Sequence, residues 1–257
     1  MIKKLLEDFA KLPEIEAIAI GGSRASDVYD EKSDYDIYLY CVKDVEPSIR
    51  RDILVKYCSY MEIDNCFWER EDNCTLENGI DIDVLYRNID SFAGEISSVV
   101  EKYEPHNGYT TCMWHNLKTC KIIYDKNGRL EQIKQRFNVS YPTQLKENII
   151  NRNIKLLYEY MPAYKYQIKK AVEREDLVSI CHRTAAFMES YFDIIWALNE
   201  LTHPGEKRLV SLCLQKCKVL PNNFKENIDK LYKDLFVNLD NVNSDLEVII
   251  LELKKVL

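Results

Sequence analysis

Two aspartates one residue apart, Asp34 and Asp36, open an apolar segment with the pattern of a β-strand. Side chains alternate across a strand, so both carboxylates face the same side. Carboxylates placed in this way can share hard divalent cations, which bind oxygen ligands and bridge to phosphates. A glycine pair, Gly21 and Gly22, and Ser23 come shortly before them, and glycines let backbone amides approach phosphate oxygens. The spacing therefore predicts a site for a nucleoside triphosphate and magnesium.

A third carboxylate is expected from the segment 79–87, which has the alternation of another strand. Asp81 and Asp83 share one face of that strand, and isoleucine and valine side chains fill the other. Strand periodicity alone does not choose between the two aspartates, and the residue that is not a ligand would be a solvated aspartate near the strand end.

The order of these features resembles the signature of the DNA polymerase β-like nucleotidyltransferases. The pattern is an apolar strand, a Gly-Gly or Gly-Ser turn, a short interval, Asp-x-Asp in a second strand, and an acidic residue on a neighbouring strand. Ile18–Ser23, Asp34 and Asp36 fit it throughout, and the context of an acidic residue just before a short apolar run favours Asp83. Within the superfamily, the chain looks most like bacterial aminoglycoside and lincosamide nucleotidyltransferases.

The resemblance implies a Mg²⁺-dependent enzyme that moves a nucleoside monophosphate, AMP from ATP, onto a hydroxyl of a small molecule and releases pyrophosphate. Asp83 would also help to deprotonate that hydroxyl. Arg24 is expected either to pair with a phosphate or to form a surface salt bridge. Tyr38, on the same strand face as the aspartates, is expected to pack there or to wall the site. The implied catalytic and metal-binding residues are Asp34, Asp36 and Asp83, and the implied phosphate-binding residues are Gly22, Ser23 and Arg24.

The helical half of the chain adds two candidates. Pro204-Gly205 is predicted to break one helix and start another, with Lys207 and Arg208 in the first turn of the new helix. Cations usually avoid that position because the helix dipole is positive there, and such an exception is often tolerated where an anion binds. Lys207 resembles the lysine that antibiotic nucleotidyltransferases present to the triphosphate. By the same resemblance, Glu189 is a candidate base, although a solvated helix face also explains it.

The fold class that these patterns predict is α+β. An N-terminal nucleotidyltransferase domain over residues 1–138, a small mixed sheet with flanking helices, is followed by a helical bundle over residues 139–257. The resemblance places the active site in the cleft between the two domains. Strands are predicted at Ile15–Ile20, Asp34–Cys41, Cys66–Arg70, Ile80–Tyr86 and Lys121–Tyr124. Helices are predicted at 2–12, from Pro47, from a Ser91 cap, at 145–161, from an Asp176 cap to Leu198, and near 207–217, 223–236 and 244–257.

Composition restricts the class of protein. The 257 residues are 46% hydrophobic and 30% charged, as in an ordinary globular protein, and no apolar run reaches the length of a membrane span. The first residues turn acidic too early for a signal peptide, and nine scattered cysteines are typical of reduced thiols, so a cytoplasmic protein is expected.

Charge is uneven along the chain and bears on the acceptor. Residues 1–130 carry a net charge of −9 and residues 131–257 carry +2. An acidic half favours a cationic acceptor such as an aminoglycoside and argues against a broad nucleic-acid-binding face. Two alternatives stay open: transfer to a protein or to tRNA, as toxin–antitoxin nucleotidyltransferases do, and a regulatory module that binds nucleotides without catalysis. A homodimer is suggested by analogy alone.

Overall fold

The computed structural model describes residues 1–25 and 34–257; residues 26–33 and the Ser23 side chain lie outside the described part. The chain has the α+β class predicted from its sequence. It divides into two compact units, of which the first contains Met1–Ser98 and Asn116–Val139 and the second contains Val99–His115 and Ser140–Leu257. No helix of the described residues is long and apolar enough to cross a membrane.

The first unit is built around a sheet. Its strands are β1 (Ile15–Ile20), β2 (Tyr35–Cys41), β3 (Cys58–Asn65), β4 (Glu71–Leu76), β5 (Asp81–Asn88) and β6 (Lys121–Asp125). The helices from the start of the chain through α5 are α1 (Ile2–Ala10), α2 (Pro47–Leu54), α3 (Ile89–Val100), α4 (Cys112–Thr119) and α5 (Arg129–Arg136). The strand order is β3-β4-β5-β2-β1-β6. Among the described pairs, β2 and β5 are parallel and the others antiparallel, so the sheet is mixed.

The two faces of this sheet differ because the strands alternate. One face packs against α1 and α2 in a hydrophobic core, whose members include Leu5, Phe9, Ile18, Ile37, Leu39, Ile53, Leu54, Ile82 and Val84. The opposite face carries Asp36, Tyr38 and Tyr40 from β2 and Asp83 from β5. The apolar face fixes the register of the strands, since a slip by one residue would bury the aspartates and expose the core.

The second unit is helical after residue 140. Its helices are α6 (Thr143–Ile154), α7 (Tyr164–Val172), α8 (Leu177–Leu198), α9 (Leu209–Lys216), α10 (Phe224–Val237) and α11 (Leu239–Lys254). The Asp176 side chain accepts a hydrogen bond from the Ser179 backbone N–H, which confirms the predicted cap of α8. The core is a continuous cluster of buried side chains, among them Ile180, Phe187, Tyr191, Ile195, Trp196, Leu231 and Leu246.

Three local expectations are wrong. Cys66–Arg70 connects β3 to β4 and is not a strand. The carboxamide of Asn88 caps α3, because it accepts hydrogen bonds from the backbone N–H groups of Asp90 and Ser91; Ser91 lies inside the helix. The helix expected over 145–161 ends as an α-helix at Ile154 and continues as a π-helical turn, so Met161 lies outside it and is exposed.

Candidate active site

The glycine turn after β1 lies directly against the second aspartate of the Asp-x-Asp pair. The Gly21 backbone N–H donates to the Asp36 carbonyl over 2.8 Å. Gly22 has a φ of +59°, a conformation that favours glycine, and a Cβ there would lie 1.8 Å from Asp36 Oδ2. Ser23–Ala25 form a 3₁₀ turn that follows directly. Gly22 therefore allows its backbone and the Asp36 carboxylate to approach more closely than a residue with a side chain would permit.

The parallel pairing of β2 and β5 brings two carboxylates side by side. Asp36 is the register partner of Asp83. Neighbouring strands are about 4.8 Å apart, so side chains of register partners on one face are neighbours. Asp34 lies one residue before the first β2–β5 pair, Tyr35 with Ile82, and is exposed. The structure thus brings Gly22, Asp34, Asp36 and Asp83 into one region of the first unit.

Two cross-strand hydrogen bonds separate the environments of Asp83 and Asp81. Asn73 Nδ2 donates to Asp83 Oδ1 over 2.8 Å, and Thr75 Oγ1 donates to Asp81 Oδ1 over the same distance. Asp83 is half-buried beside Asp36, whereas Asp81 is the exposed first residue of its strand. The geometry therefore favours Asp83 as the third carboxylate, in agreement with the motif context.

The Asn73 amide is itself held by a polar chain that reaches the sheet edge. Its Oδ1 accepts from Asn65 Nδ2 over 2.6 Å, and that amide also donates to Glu62 Oε2 over 3.3 Å. Asn73 was missed because neither β3 nor β4 was predicted. The available signal was weak: Cys74 and Leu76 are apolar and alternate with polar Asn73 and Thr75.

A cluster of polar side chains around Arg87 lies farther along the same face. The Tyr38 hydroxyl accepts from Asn116 Nδ2 over 2.8 Å, and the Arg87 guanidinium carbon stands 4.2 Å from the centre of the Tyr38 ring. Arg87 forms a bidentate pair with Glu69, at 2.7 and 2.8 Å. Burial lowers the pKa of Arg87, but the hydrogen bonds to Glu69 and the charge interactions with Tyr40, Glu69 and Tyr38 together outweigh burial, so the pKa is raised overall. Burial also raises the pKa of the Tyr38 hydroxyl, which stays protonated.

Arg24 folds back on its own surroundings. Its Nε donates to the Asp34 carbonyl over 3.1 Å, and its guanidinium lies 3.8 Å from the centre of the Tyr35 ring. This conformation keeps the guanidinium next to Asp34, at the start of the strand that carries Asp36. A phosphate contact by Arg24 stays a prediction.

The other predicted residues belong to the second unit, and one structural premise about them is wrong. Helix α9 begins at Leu209, so Lys207 and Arg208 precede it and do not lie in its first turn. Lys207 is exposed in the preceding turn, and Arg208 has a left-handed φ of 58°. In the part of the chain that the structure describes, neither cation therefore lies in the first turn of α9. The unfavourable interaction with the helix dipole that was expected in that turn does not occur there.

The histidine that opens this segment is part of the core. His203 is fully buried, its ring lies 4.9 Å from that of Tyr109 between centroids, and its Nδ1 accepts from the Gly205 backbone N–H over 3.1 Å. Burial lowers its pKa to about 3, so the imidazole is neutral. His203 thus fixes the turn that precedes Lys207.

Glu189 lies on α8, next to a tight segment of backbone. A Cβ at Gly108, which has a φ of +74°, would lie 3.0 Å from the Glu189 Cβ. The Glu189 side chain is half-buried, and burial raises the pKa of its carboxyl. A raised pKa makes this carboxylate a better proton acceptor than an exposed glutamate.

Comparisons with known proteins find one family and, at low sequence identity, solved structures named as nucleotidyltransferase-like or adenyltransferase proteins. A family described as a domain of unknown function (DUF4037) matches residues 110–208. The chain matches no curated protein. A nucleotidyltransferase-like protein from Exiguobacterium sibiricum 255-15 is 10% identical, with 99% of this chain and 72% of that one covered and a TM-score of 0.46.

An aminoglycoside 6-adenyltransferase from Bacillus subtilis is 11% identical, with 98% of this chain and 90% of that one covered and a TM-score of 0.29.

Proposed function

We propose that this protein is a Mg²⁺-dependent nucleotidyltransferase that moves AMP from ATP onto a hydroxyl of a small molecule. The observation that carries the proposal is the pairing of Asp36 with Asp83 on adjacent parallel strands, with the glycine turn packed on Asp36. Carboxylates in register supply the oxygen donors that Mg²⁺ prefers, and the turn supplies backbone close to them.

The donor set fits a cation that is shared with phosphates. No group of three His, Cys, Asp or Glu side chains is arranged to hold a metal ion by itself in the part of the chain that the structure describes. Mg²⁺ in phosphate-transfer sites usually takes one or two carboxylates and completes its shell with phosphate oxygens and water. Asp36 and Asp83 would be its ligands, with Asp34 beside them, and the bound ion would neutralise charge on the triphosphate.

The chain's own groups would bind and orient the nucleotide. Backbone N–H groups at Gly22 and Ser23 would hold the β- and γ-phosphates, since Gly22 already adopts the left-handed conformation of an anion-binding nest. Arg24, beside Asp34, would turn from the Tyr35 ring towards a phosphate. Lys207 is proposed as a further cation for the triphosphate, on account of its exposed position and its resemblance to the family lysine.

In the reaction, the acceptor oxygen forms a bond to the α-phosphorus while the bond from that phosphorus to the β-phosphate bridging oxygen breaks. Pyrophosphate leaves, and the hydroxyl proton passes to Asp83 or Glu189. Catalysis in such a site comes from positioning and from charge stabilisation. The net charge of −9 over residues 1–130 supports a cationic acceptor of the aminoglycoside type.

The test is pyrophosphate release with Mg²⁺ and each nucleoside triphosphate, in the presence of separate pools of aminoglycosides, lincosamides and bulk tRNA. Asp36→Asn is the site variant, and Asp52→Asn, on the exposed surface of α2, is the charge-matched control. Release that needs ATP and an antibiotic pool, persists in Asp52→Asn and vanishes in Asp36→Asn would support the proposal. Release that persists in Asp36→Asn would contradict the proposal. Release that occurs only with tRNA would show that the acceptor is a nucleic acid and not a small molecule.

A further inference from the structure

The glycine turn has a second neighbour besides Asp36. A Cβ added at Gly21 would lie 2.2 Å from Tyr38 Cε2, 2.6 Å from its Oη and 2.7 Å from its Cζ. The far end of the Tyr38 ring therefore rests on the backbone of Gly21. Unlike Gly22, Gly21 has no left-handed φ, so this contact is the reason that a larger residue does not fit there.

Tyr38 is held from its other sides. Asn116 donates to its hydroxyl, the Arg87 guanidinium stacks on its ring, and Arg87 Nη1 also donates to Asn116 Oδ1 over 3.1 Å. Arg87 is in turn fixed by two hydrogen bonds to Glu69. The ring is 6% exposed, so its position is set by these groups and not by solvent.

We propose that Tyr38 is a positioning residue for nucleotide binding. Its ring, which Arg87 and Asn116 hold in place, fixes the distance between the Gly21–Gly22 backbone and Asp36. This inference rests on the proposed function. Tyr38 stands two residues after Asp36 on the same strand face, and the Gly21 N–H donates to the Asp36 carbonyl. A shift of the turn would therefore move the backbone amides that bind phosphate relative to the carboxylates that bind the metal. A misplacement of about 1 Å can lower the rate of a catalysed reaction about 100-fold.

The test is a double-mutant cycle on ATP affinity in the presence of Mg²⁺, measured by titration calorimetry. Gly21→Ala introduces the clash, and Tyr38→Leu removes the three ring atoms that the new Cβ would meet. We expect Gly21→Ala to weaken ATP binding by up to about 100-fold in the wild-type background and less than about 3-fold in the Tyr38→Leu background, because residues in contact can couple this strongly. A penalty that is the same in both backgrounds would overturn the inference.

Two further variants separate positioning from general damage. Gly22→Ala clashes with Asp36 and has a left-handed φ, so Tyr38→Leu should not rescue it. Tyr38→Phe keeps the ring on Gly21, although it loses the hydrogen bond from Asn116, and should bind ATP more tightly than Tyr38→Leu does. Rescue of Gly22→Ala, or a Tyr38→Phe variant as weak as Tyr38→Leu, would contradict the specific contact.

Failure of the inference and failure of the function give different results. If the wild-type protein binds no ATP with Mg²⁺, the proposed function fails, and the inference that depends on it fails too. If the wild type binds ATP and Gly21→Ala is either harmless or not rescued, only the positioning role of Tyr38 is wrong. Circular dichroism of each variant confirms that the folded protein is being compared.

Discussion

Asp72 and Asp83 lie on the adjacent antiparallel strands β4 and β5, but their carboxylates face opposite sides of the sheet. Asp72 is fully buried and accepts from Arg50 Nη1, from the Tyr86 hydroxyl and from the Asp64 backbone N–H, each at 2.8 Å. Asp83 accepts from the neutral Asn73 and stands beside Asp36. Within the described residues no Lys or Arg forms an ion pair with it.

The difference distinguishes a structural carboxylate from a candidate ligand. Asp72 is surrounded by donors and a cation, which offset part of the desolvation of its charge; burial still raises the pKa of its carboxyl. Asp83 has another carboxylate, Asp36, as its register partner, and a cation bound between the two would be attracted by both. Two carboxylates side by side are expected where they bind a cation, whereas a carboxylate whose oxygens are already saturated by donors is expected to serve stability.

The largest expected effect is on turnover. Asp83→Ala should reduce pyrophosphate release at least about 1,000-fold, because several kcal/mol of charge stabilisation is lost with a metal ligand. Its free energy of unfolding should fall by only about 1 kcal/mol, the contribution of the bond to Asn73. Steady-state kinetics and urea unfolding on the same preparation measure both. Full activity in this variant would remove Asp83 from the metal site.

Asp72→Ala should do the reverse. The variant leaves Arg50, which is 0% exposed, without one of its two carboxylates and should lower the free energy of unfolding by about 3–5 kcal/mol. Turnover per folded molecule should stay near that of the wild type. If the two variants damaged stability equally, the division of the sheet into a structural face and a functional face would be wrong.

A third carboxyl group lies between these two cases. Asp193 on α8 is 2% exposed and accepts from the Thr110 backbone N–H and hydroxyl and from Asn153, but in the described residues no Lys or Arg pairs with it. Burial raises its pKa to about 6.

Since the folded state holds this proton to higher pH than the unfolded state, its contribution to stability is greatest below about pH 4 and falls by about 3 kcal/mol as the pH rises to about 6. Asp193→Asn should flatten that part of the profile of unfolding free energy against pH. An unchanged slope would assign the titration to another group.

How far the sequence predicts this molecule depends on which face a residue occupies. Ile15–Ile20 was predicted with its observed bounds, and Asp34–Cys41 to within a residue, because their apolar runs are dense. The strand Glu71–Leu76 was missed, since polar residues occupy most of its positions and the partners of buried Asp72 include Arg50, which lies on α2, 22 residues earlier in the chain. Likewise, the contact of Thr110 with Asp193 spans 83 residues and leaves no local signal.

For the candidate site, the residue types and their order were readable, while the choice between Asp81 and Asp83 needed the register. Both aspartates lie on the same face of β5, and each accepts a hydrogen bond of 2.8 Å from a side chain of β4. Only the pairing with β2 shows that Asp83 is the neighbour of Asp36. Supporting residues such as Asn73 are invisible without it.

The smallest expected effect sharpens this choice. Asn73→Ala removes the amide that orients Asp83, and loss of such a supporting contact typically weakens metal affinity 10- to 100-fold. Thr75→Ala removes an equivalent hydrogen bond from Asp81, two residues along the same strand, and serves as the matched control. We expect the Mg²⁺ concentration for half-maximal pyrophosphate release to rise about 10-fold in Asn73→Ala and to stay unchanged in Thr75→Ala. A higher Mg²⁺ requirement in Thr75→Ala and an unchanged one in Asn73→Ala would make Asp81 the ligand. The reason is that a hydrogen bond that orients a carboxylate affects metal affinity only if that carboxylate binds the metal.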